Sequence, residues 1–455
     1  MLAGVSKVSD TTTIDSGSSP MQQLLRLRQL RVVYGVGEGA PAVALLERAR
    51  LSIGREGRVE GPFGLSDREV SRVHAHVDYD ASADAYVISD AGSRNGVYLG
   101  GRRLDAGEQA RLTPGSVVRV GTTLLVFVEV EMPRGAALVP ERGKILGGSV
   151  AAQRLRAEIA GLAPSDLPVL VLGPTGAGKE LVAEELHEKS GRPGPLVPVN
   201  CAALPEALAE AELFGHEAGA FTGATRAKEG LWASAHRGTL FLDEVGELPG
   251  PVQAKLLRAL ATGEVRRVGA AATERFDARV IAATHRNLAA AVGEDEFRAD
   301  LLARLSGATI RVPSLAERRE DVLALAAVFL ERAAPGRRIA PDAAEALLLF
   351  AWPFNVRQLQ QTVRAAAVAM GVGLQIEAEH LPTDITRTLG ARAAVRVDAR
   401  PADLPIELLV PPDHVPDRAG LALVMERMAG NVSKVAEYFG KDRRQIYRWM
   451  ERDEP

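Results

Sequence analysis

Several things are scarce in this chain. It has one cysteine, Cys201, in 455 residues. That excludes an internal disulfide framework and reads as a reducing, cytoplasmic compartment. No apolar run approaches the ~20 residues a membrane helix needs, so no membrane partner is expected. The first twenty residues, MLAGVSKVSDTTTIDSGSSP, lack the apolar stretch of a secretory leader, and their Ser/Thr content reads as a disordered tail. Aromatics are only 4% of the chain, and there is no internal repeat. Net charge is −3, so any nucleic-acid contact must come from a local patch.

What is present suffices for about three domains at ~100–200 residues each. From Leu25 to about residue 130, short runs such as RARLSIG, AYVISD, VVRVG and TLLVFVEV are broken by Gly, Asp, Ser and Pro. Many short strands at close spacing predict an all-β sandwich. Residues 131–143 form a linker containing Pro and Gly. Over 144–385 the apolar strands LPVLVLG, LVPVN, TLFLDE and ARVIAAT alternate with helical stretches, the βα pattern of a parallel sheet, and end in helices that read as a lid. A second linker, rich in Ala, Arg and Pro, is expected at 386–412. Residues 413–455 read as helical with one tight turn, and 1–24 as the tail.

Gly173-Pro174-Thr175-Gly176-Ala177-Gly178-Lys179-Glu180 follows an apolar strand and opens the helix ELVAEELHEK. That is the context of a P-loop, whose backbone N–H groups and helix N-terminus surround the phosphates of ATP, with Lys179 reaching the β- and γ-phosphates. TLFLDE ends in two carboxylates, costly without a cation nearby. Asp243 would hold Mg²⁺, directly or through water, and Glu244 would orient the attacking water. Asn200 closes LVPVN; alone, an Asn there is more often a turn residue or a helix cap.

Between these elements lies Gly219-Ala220-Phe221-Thr222-Gly223-Ala224, a nearly uncharged loop with an aromatic and a hydroxyl at its tip. Its glycines let the backbone turn sharply. Set between a P-loop and an acidic strand, it resembles the GAFTGA loop of sigma-54-dependent transcriptional activators, the bacterial enhancer-binding proteins of the AAA+ class. The resemblance implies a hexameric ATPase ring that remodels sigma-54 RNA polymerase into the open complex, with Phe221 and Thr222 touching sigma-54. It makes Asn200 the residue that holds Glu244 inactive. It also makes Arg298 and Arg304, read on one helix in FRADLLARL, fingers for the neighbouring subunit's ATP, and Arg357 the lid arginine that senses nucleotide. A glutamate at Glu180 is usual in this family.

Two departures stand out. The strand VIAAT normally ends with Asn in that family, and here His285 follows Thr284. The lid motif usually reads WPGNVREL, but Phe354 and Gln358 replace Gly and Glu; because Phe resists positive φ, the lid turn is expected to differ.

SIGR at 52–55, DREVSRVHAHV at 67–77 and SRNG at 93–96 resemble a forkhead-associated (FHA) domain, a sandwich that binds phosphothreonine peptides from its loops. Arg55, Ser71 and Arg72 would meet the phosphate, Asn95 the peptide backbone, and His74 would brace the loops. At the other end, GLALVMERMAGNVSKVAEYFGKDRRQIYRWMER looks like a Fis-type helix-turn-helix. Asn431 and Asp442 would cap its helices, Gly440 would allow the turn, and Arg443, Arg444, Gln445 and Arg448 would read enhancer DNA. The expected architecture is therefore multidomain: an all-β FHA sandwich, an α/β AAA+ ATPase with a helical lid, and an all-α helix-turn-helix, assembling from dimer to hexamer. The alternative is a DNA-bound, phosphopeptide-responsive regulator whose ATPase is weak or silent because of His285 and Phe354.

Overall fold

The computed structural model describes residues 24–35, 43–55, 63–133, 143–391, 416, 418–428 and 431–450. The expected tail, apart from Leu24 at the start of a strand, and most of both expected linkers lie outside them. The described residues up to 391 belong to one compact unit and those from 416 onward to a second.

The first part of the larger unit is an eleven-stranded sandwich. Its strands are β1 (Leu24–Tyr34), β2 (Val43–Leu45), β3 (Leu51–Arg55), β4 (Phe63–Leu65), β5 (Ala75–Asp80), β6 (Ala85–Asp90), β7 (Val97–Leu99), β8 (Arg102–Arg103), β9 (Gln109–Leu112), β10 (Val117–Val120) and β11 (Thr123–Pro133). One sheet has the order β2-β1-β11-β10-β7-β8 and the other β4-β3-β5-β6-β9. β11 is apolar on both faces because both are covered. Leu125 and Phe127 point into the sandwich, while Leu124, Val126 and Val128 join the core of the lid, as Val117 of β10 does. The alternation of a strand thus serves two cores at once.

The second part is a parallel sheet of order β13-β16-β19-β12-β20: β12 (Val169–Leu172), β13 (Leu196–Asn200), β16 (Thr239–Asp243), β19 (Arg279–Thr284) and β20 (Ala308–Arg311). The numbers between belong to two small hairpins, β14 (Gly215–His216) with β15 (Lys228–Glu229), and β17 (Glu264–Val265) with β18 (Glu274–Arg275). All six residues of β19 are buried, as a central strand covered on both faces requires. One apolar layer forms around α1 (Val150–Leu162) and α2 (Lys179–Ser190). The other forms around α3 (Glu206–Phe214), α4 (Leu231–Ser234), α5 (Gly250–Thr262), α6 (Leu288–Gly293) and α7 (Ala299–Leu305).

The lid is α8 (Val322–Ala333), α9 (Pro341–Leu349), α10 (Asn355–Met370) and α11 (Thr383–Ala391). α11 continues past 386, where a linker was expected, because Ile385 and Leu389 pack into the lid core. β11 likewise runs to Pro133, beyond the expected linker start at 131, since it stays paired with β1 through Leu24↔Pro133.

Among the described residues of the smaller unit are three helices, Arg418–Arg427, Val432–Tyr438 and Arg443–Met450. They close on Leu421, Val424, Val435, Phe439, Ile446 and Trp449. The Asn431 side chain accepts N–H bonds from Ser433 and Lys434, Asp442 accepts from Gln445, and Gly440 takes φ 61°.

Candidate functional site

The site is built where β12 and β16 end. After β12 the chain turns through Gly176 (φ 74°) and Gly178 (φ 110°) into the first turn of α2. These left-handed positions favour glycine. They bring a row of peptide groups and a helix N-terminus to one place, where an anion is stabilised. Lys179 is only 7% exposed, and its Nζ donates to the Gly173 carbonyl at 3.1 Å. Glu180 is exposed at the start of α2.

Asp243 closes β16 and Glu244 follows it with φ 52° and ψ 48°, a left-handed conformation unusual for a side-chain-bearing residue. Burial and the neighbouring Glu244 push the Asp243 carboxyl up, with Lys179 and Arg357 opposing. Burial also acts on Glu244, but there the His285 hydrogen bond and Lys179 prevail and hold its carboxyl below the usual range. A buried carboxylate raised by a like charge is the electrostatic state that a cation relieves. The same two charges, added to burial, push the Cys201 thiol up to about 12.

The lid closes the site from above. Asn355 donates from Nδ2 to the Thr175 carbonyl at 3.0 Å and accepts the Leu315 N–H at 2.8 Å. The Arg357 N–H donates to the Gly176 carbonyl at 3.2 Å. A Cβ on Gly176 would lie 2.2 Å from the Phe354 carbonyl oxygen, so only glycine permits this approach. Phe354 itself takes φ −105°; the positive φ values of the turn fall on Trp352 and Asn355. The phenylalanine is accommodated with its ring exposed and costs the turn no backbone strain. A cavity of about 470 Å³ opens beside Ala177 and Gly178, walled by Ile145, Leu146, Leu155, Leu325 and Phe329.

The other sequence-assigned residues are distributed as follows. Asn200 pairs in register with Asp243, and its side chain accepts the Ala202 N–H at 3.0 Å, capping a short 3₁₀ turn. Arg298 stands before α7 as its N-cap, not on the helix as expected, and is bound to Asp300 at 2.7 Å. Arg304 reaches the Leu260 carbonyl. Both arginines are exposed.

The loop Gly219-Ala220-Phe221-Thr222-Gly223-Ala224 lies within the β14–β15 hairpin. It is tied by Gly219 N–H to the Ala224 carbonyl at 2.7 Å, and the Phe221 ring rests edge-on against His216 at 5.0 Å. Phe221, Thr222 and Gly223 are exposed.

In the sandwich, Arg55 donates to the carbonyls of Val70 and Arg68, and Asn95 to that of Glu69. Ser71 Oγ accepts the Arg94 N–H, and Arg72 is exposed. His74 is fully buried; its Nδ1 accepts the Ser71 N–H, which assigns the ring hydrogen to Nε2, facing the Gly96 carbonyl. Reading the sequence missed Asp67, which accepts from Thr122, Thr123 and Glu69 and so anchors the loop before Ser71. It also missed Asn355 and the apolar cavity walls. The acid opening DREVSRVH and the Asn opening VRQL were the available signals.

Residues 145–311 match the sigma-54 interaction domain, residues 316–396 the AAA+ ATPase lid domain and residues 51–121 the FHA domain. The transcriptional regulatory protein ZraR of Escherichia coli O157:H7 is 41% identical over 326 residues, covering 70% of each chain. This chain belongs to the sigma-54-dependent transcriptional regulators. The nitric oxide reductase transcription regulator NorR1 of Cupriavidus necator is 44% identical over 329 residues, and the chain spans 63% of its length. Among solved structures, NtrX of Brucella abortus, crystallised with ADP and with ATP, is 33% identical with a TM-score of 0.50 over 68% of this chain and 69% of its own. The matched FHA domain makes this a sigma-54-dependent regulator with a sandwich ahead of its sigma-54 interaction domain. No helix among the described residues is long and apolar enough to cross a membrane.

Proposed function

We propose that this regulator hydrolyses ATP in a hexameric ring and uses the energy to open promoters held by sigma-54 RNA polymerase. Control comes from phosphothreonine recognition at the sandwich and anchoring from the C-terminal helices on enhancer DNA. The observation that carries the reading is the convergence of Lys179, Asp243 and Glu244 at the C-terminal end of the parallel sheet, under a lid tied to the P-loop by Asn355. The residues suit a nucleotide: peptide N–H groups and Lys179 for the phosphates, and a largely apolar cavity of about 470 Å³ for the base. Asp243 would hold Mg²⁺, which when bound neutralises phosphate charge. Glu244 orients water and accepts its proton, and Arg357 reports the lid's position. Arg298 and Arg304, exposed and away from their own P-loop partners, would serve the next protomer, where such a finger is worth ~10³–10⁵ in rate.

The exposed Phe221–Thr222 tip is the output surface for sigma-54. Arg55, Ser71, Arg72 and Asn95 form the phosphopeptide loops. Arg443, Arg444 and Gln445 open the last helix of a helix-turn-helix and Arg448 lies in its last turn, where they can read bases and phosphates. The test is ATP turnover and open-complex formation by the full chain on a sigma-54 promoter. Thr222→Ala is expected to keep turnover and lose promoter opening, and Lys179→Ala to lose both. A wild-type chain that hydrolyses no ATP would support the alternative of a silent ATPase.

A further inference from the structure

Arg26, Arg28, Arg50, Arg102 and Arg119 of the sandwich each pair with a carboxylate. The arginines at its phosphopeptide loops do not. Arg55, Arg68, Arg72, Arg94 and Arg103 are all exposed, and none has a carboxylate partner among the described residues. Asp67 and Asp90, the nearby acids, spend their oxygens on Thr122, Thr123 and Ser93. The exposed acid Glu69 lines a cleft against lid helix α9, beside Arg119 and Asp342. The loops therefore carry positive charge that the described residues leave unmatched.

One phosphothreonine brings about −1.5 to −2 charges. Arg55 and Arg72, with the Ser71 hydroxyl, are enough for it. Arg94 and Arg103 are surplus, and they flank Asn95. Arg94 precedes it, fixed by its backbone N–H on Ser71 Oγ at 3.1 Å. Arg103 reaches across from β8 and lies against Gly96. A Cβ on Gly96 would collide with the Arg103 Nε, and the φ of 80° also favours glycine, so the loop is shaped to admit this guanidinium.

The His74 ring sets the spacing. Its Nδ1 accepts the Ser71 N–H at 3.1 Å, and its Nε2 faces the Gly96 carbonyl at 3.0 Å. An imidazole and two hydrogen bonds thus hold Ser71 and Gly96 about 7 Å apart. That is wider than one phosphate group. It is close to the ~7 Å between alternate residues of an extended peptide, whose side chains point the same way.

We propose that Arg94 and Arg103 form a second phosphate subsite around Asn95, so that the preferred ligand is a segment phosphorylated twice, on a threonine and on a residue two positions away. A guanidinium meets phosphate through two parallel N–H groups, which gives each arginine a directional grip. An aspartate carries less charge and fewer acceptor oxygens than a phosphate, so it should fill the subsite less well. The inference rests on the phosphopeptide reading of Arg55 and Ser71 given above.

The experiment uses the full chain and labelled peptides, followed by fluorescence anisotropy. One peptide carries a single phosphothreonine. Two more add a phosphoserine two residues before or two residues after it. Two others place aspartate where the phosphoserine stood. One of the doubly phosphorylated peptides should bind at least tenfold tighter than the singly phosphorylated one, the scale of one charge-assisted hydrogen bond. Its aspartate counterpart should gain less than about threefold. Arg94→Ala and Arg103→Ala should each remove most of the gain and leave the single-phosphate affinity within about threefold. Arg111→Ala, an exposed arginine on β9, should keep the gain, which separates a built subsite from general positive charge.

Equal binding of singly and doubly phosphorylated peptides overturns the inference. So does a gain that survives both loop substitutions, or one that Arg111→Ala removes as well. An aspartate peptide as tight as its phosphoserine counterpart also overturns it, and makes the surface a reader of acidic residues. A wild type that binds no phosphothreonine peptide at all overturns the phosphopeptide reading instead, and the second subsite falls with it.

Discussion

Arg119 of the sandwich pairs with Glu345 of lid helix α9, Nε to Oε2 at 2.8 Å, while its guanidinium lies 3.7 Å from the centre of the Tyr98 ring. Glu345 is almost fully buried, and burial pushes its carboxyl up against the pull of Arg119. Removing one partner of such a pair leaves a charge without compensation. Arg119→Ala should destabilise the larger unit by about 2 kcal/mol, less than a fully buried pair would cost because Arg119 is partly exposed. Replacing both, Arg119→Met with Glu345→Leu, should recover most of the loss. Urea unfolding of the three chains checks both statements.

Glu320 gives a pH signature. Burial, with Asp321 nearby, raises its carboxyl to about 7, while Arg31 and Arg318 oppose. A folded-state value above the ordinary one means the protonated form is the better folded. The contribution is complete below about 4.5 and is lost as the pH rises through about 7. Between pH 5.5 and 8 the wild type should lose roughly 2 kcal/mol relative to Glu320→Gln, less than the full shift implies because part of the loss has already occurred below pH 5.5. Thermal midpoints measured across that interval give the comparison.

Gly176→Ala should separate lid from P-loop. The new methyl would meet the Phe354 carbonyl at 2.2 Å, and the φ of 74° already disfavours a side chain. Nucleotide affinity is expected to fall at least tenfold in a fluorescent-analogue titration, while the sandwich keeps its fold by circular dichroism.

Arg55→Ala should weaken phosphothreonine-peptide binding at least tenfold, the scale of one charge-assisted hydrogen bond. Calorimetry with a phosphorylated and an unphosphorylated peptide measures it. Equal binding of both peptides by the wild type would make the sandwich a phosphate-independent docking domain.

Much of the AAA+ region was readable because its motifs are contiguous in the chain. A glycine loop after a strand and paired acids at a strand end carry their meaning locally. Asn355 carries no such label, since its partner Thr175 is 180 positions away and the contact exists only once the lid has folded over. FRADLLARL reads as helix throughout, yet Arg298 is extended at φ −77° and ψ 129°, and its N–H goes to Gln253 instead of starting a turn. Phe354 looked costly because positive φ was assigned to it, and the turn places that conformation on its neighbours. TLLVFVEV announced a strand but not that its second face would be covered by helices about two hundred positions later.

That doubly covered strand bears on how the protein can be divided. Leu124, Val126 and Val128 leave the sandwich as a nonpolar seam continuous with α8 and α9. Cutting the chain between Pro133 and Gly143 would expose half of that seam on each fragment, and both pieces would be sticky and poorly soluble. The sandwich is thus part of the scaffolding of the AAA+ region, and an autonomous fragment of that region would first need its share of the seam rewritten in charged residues.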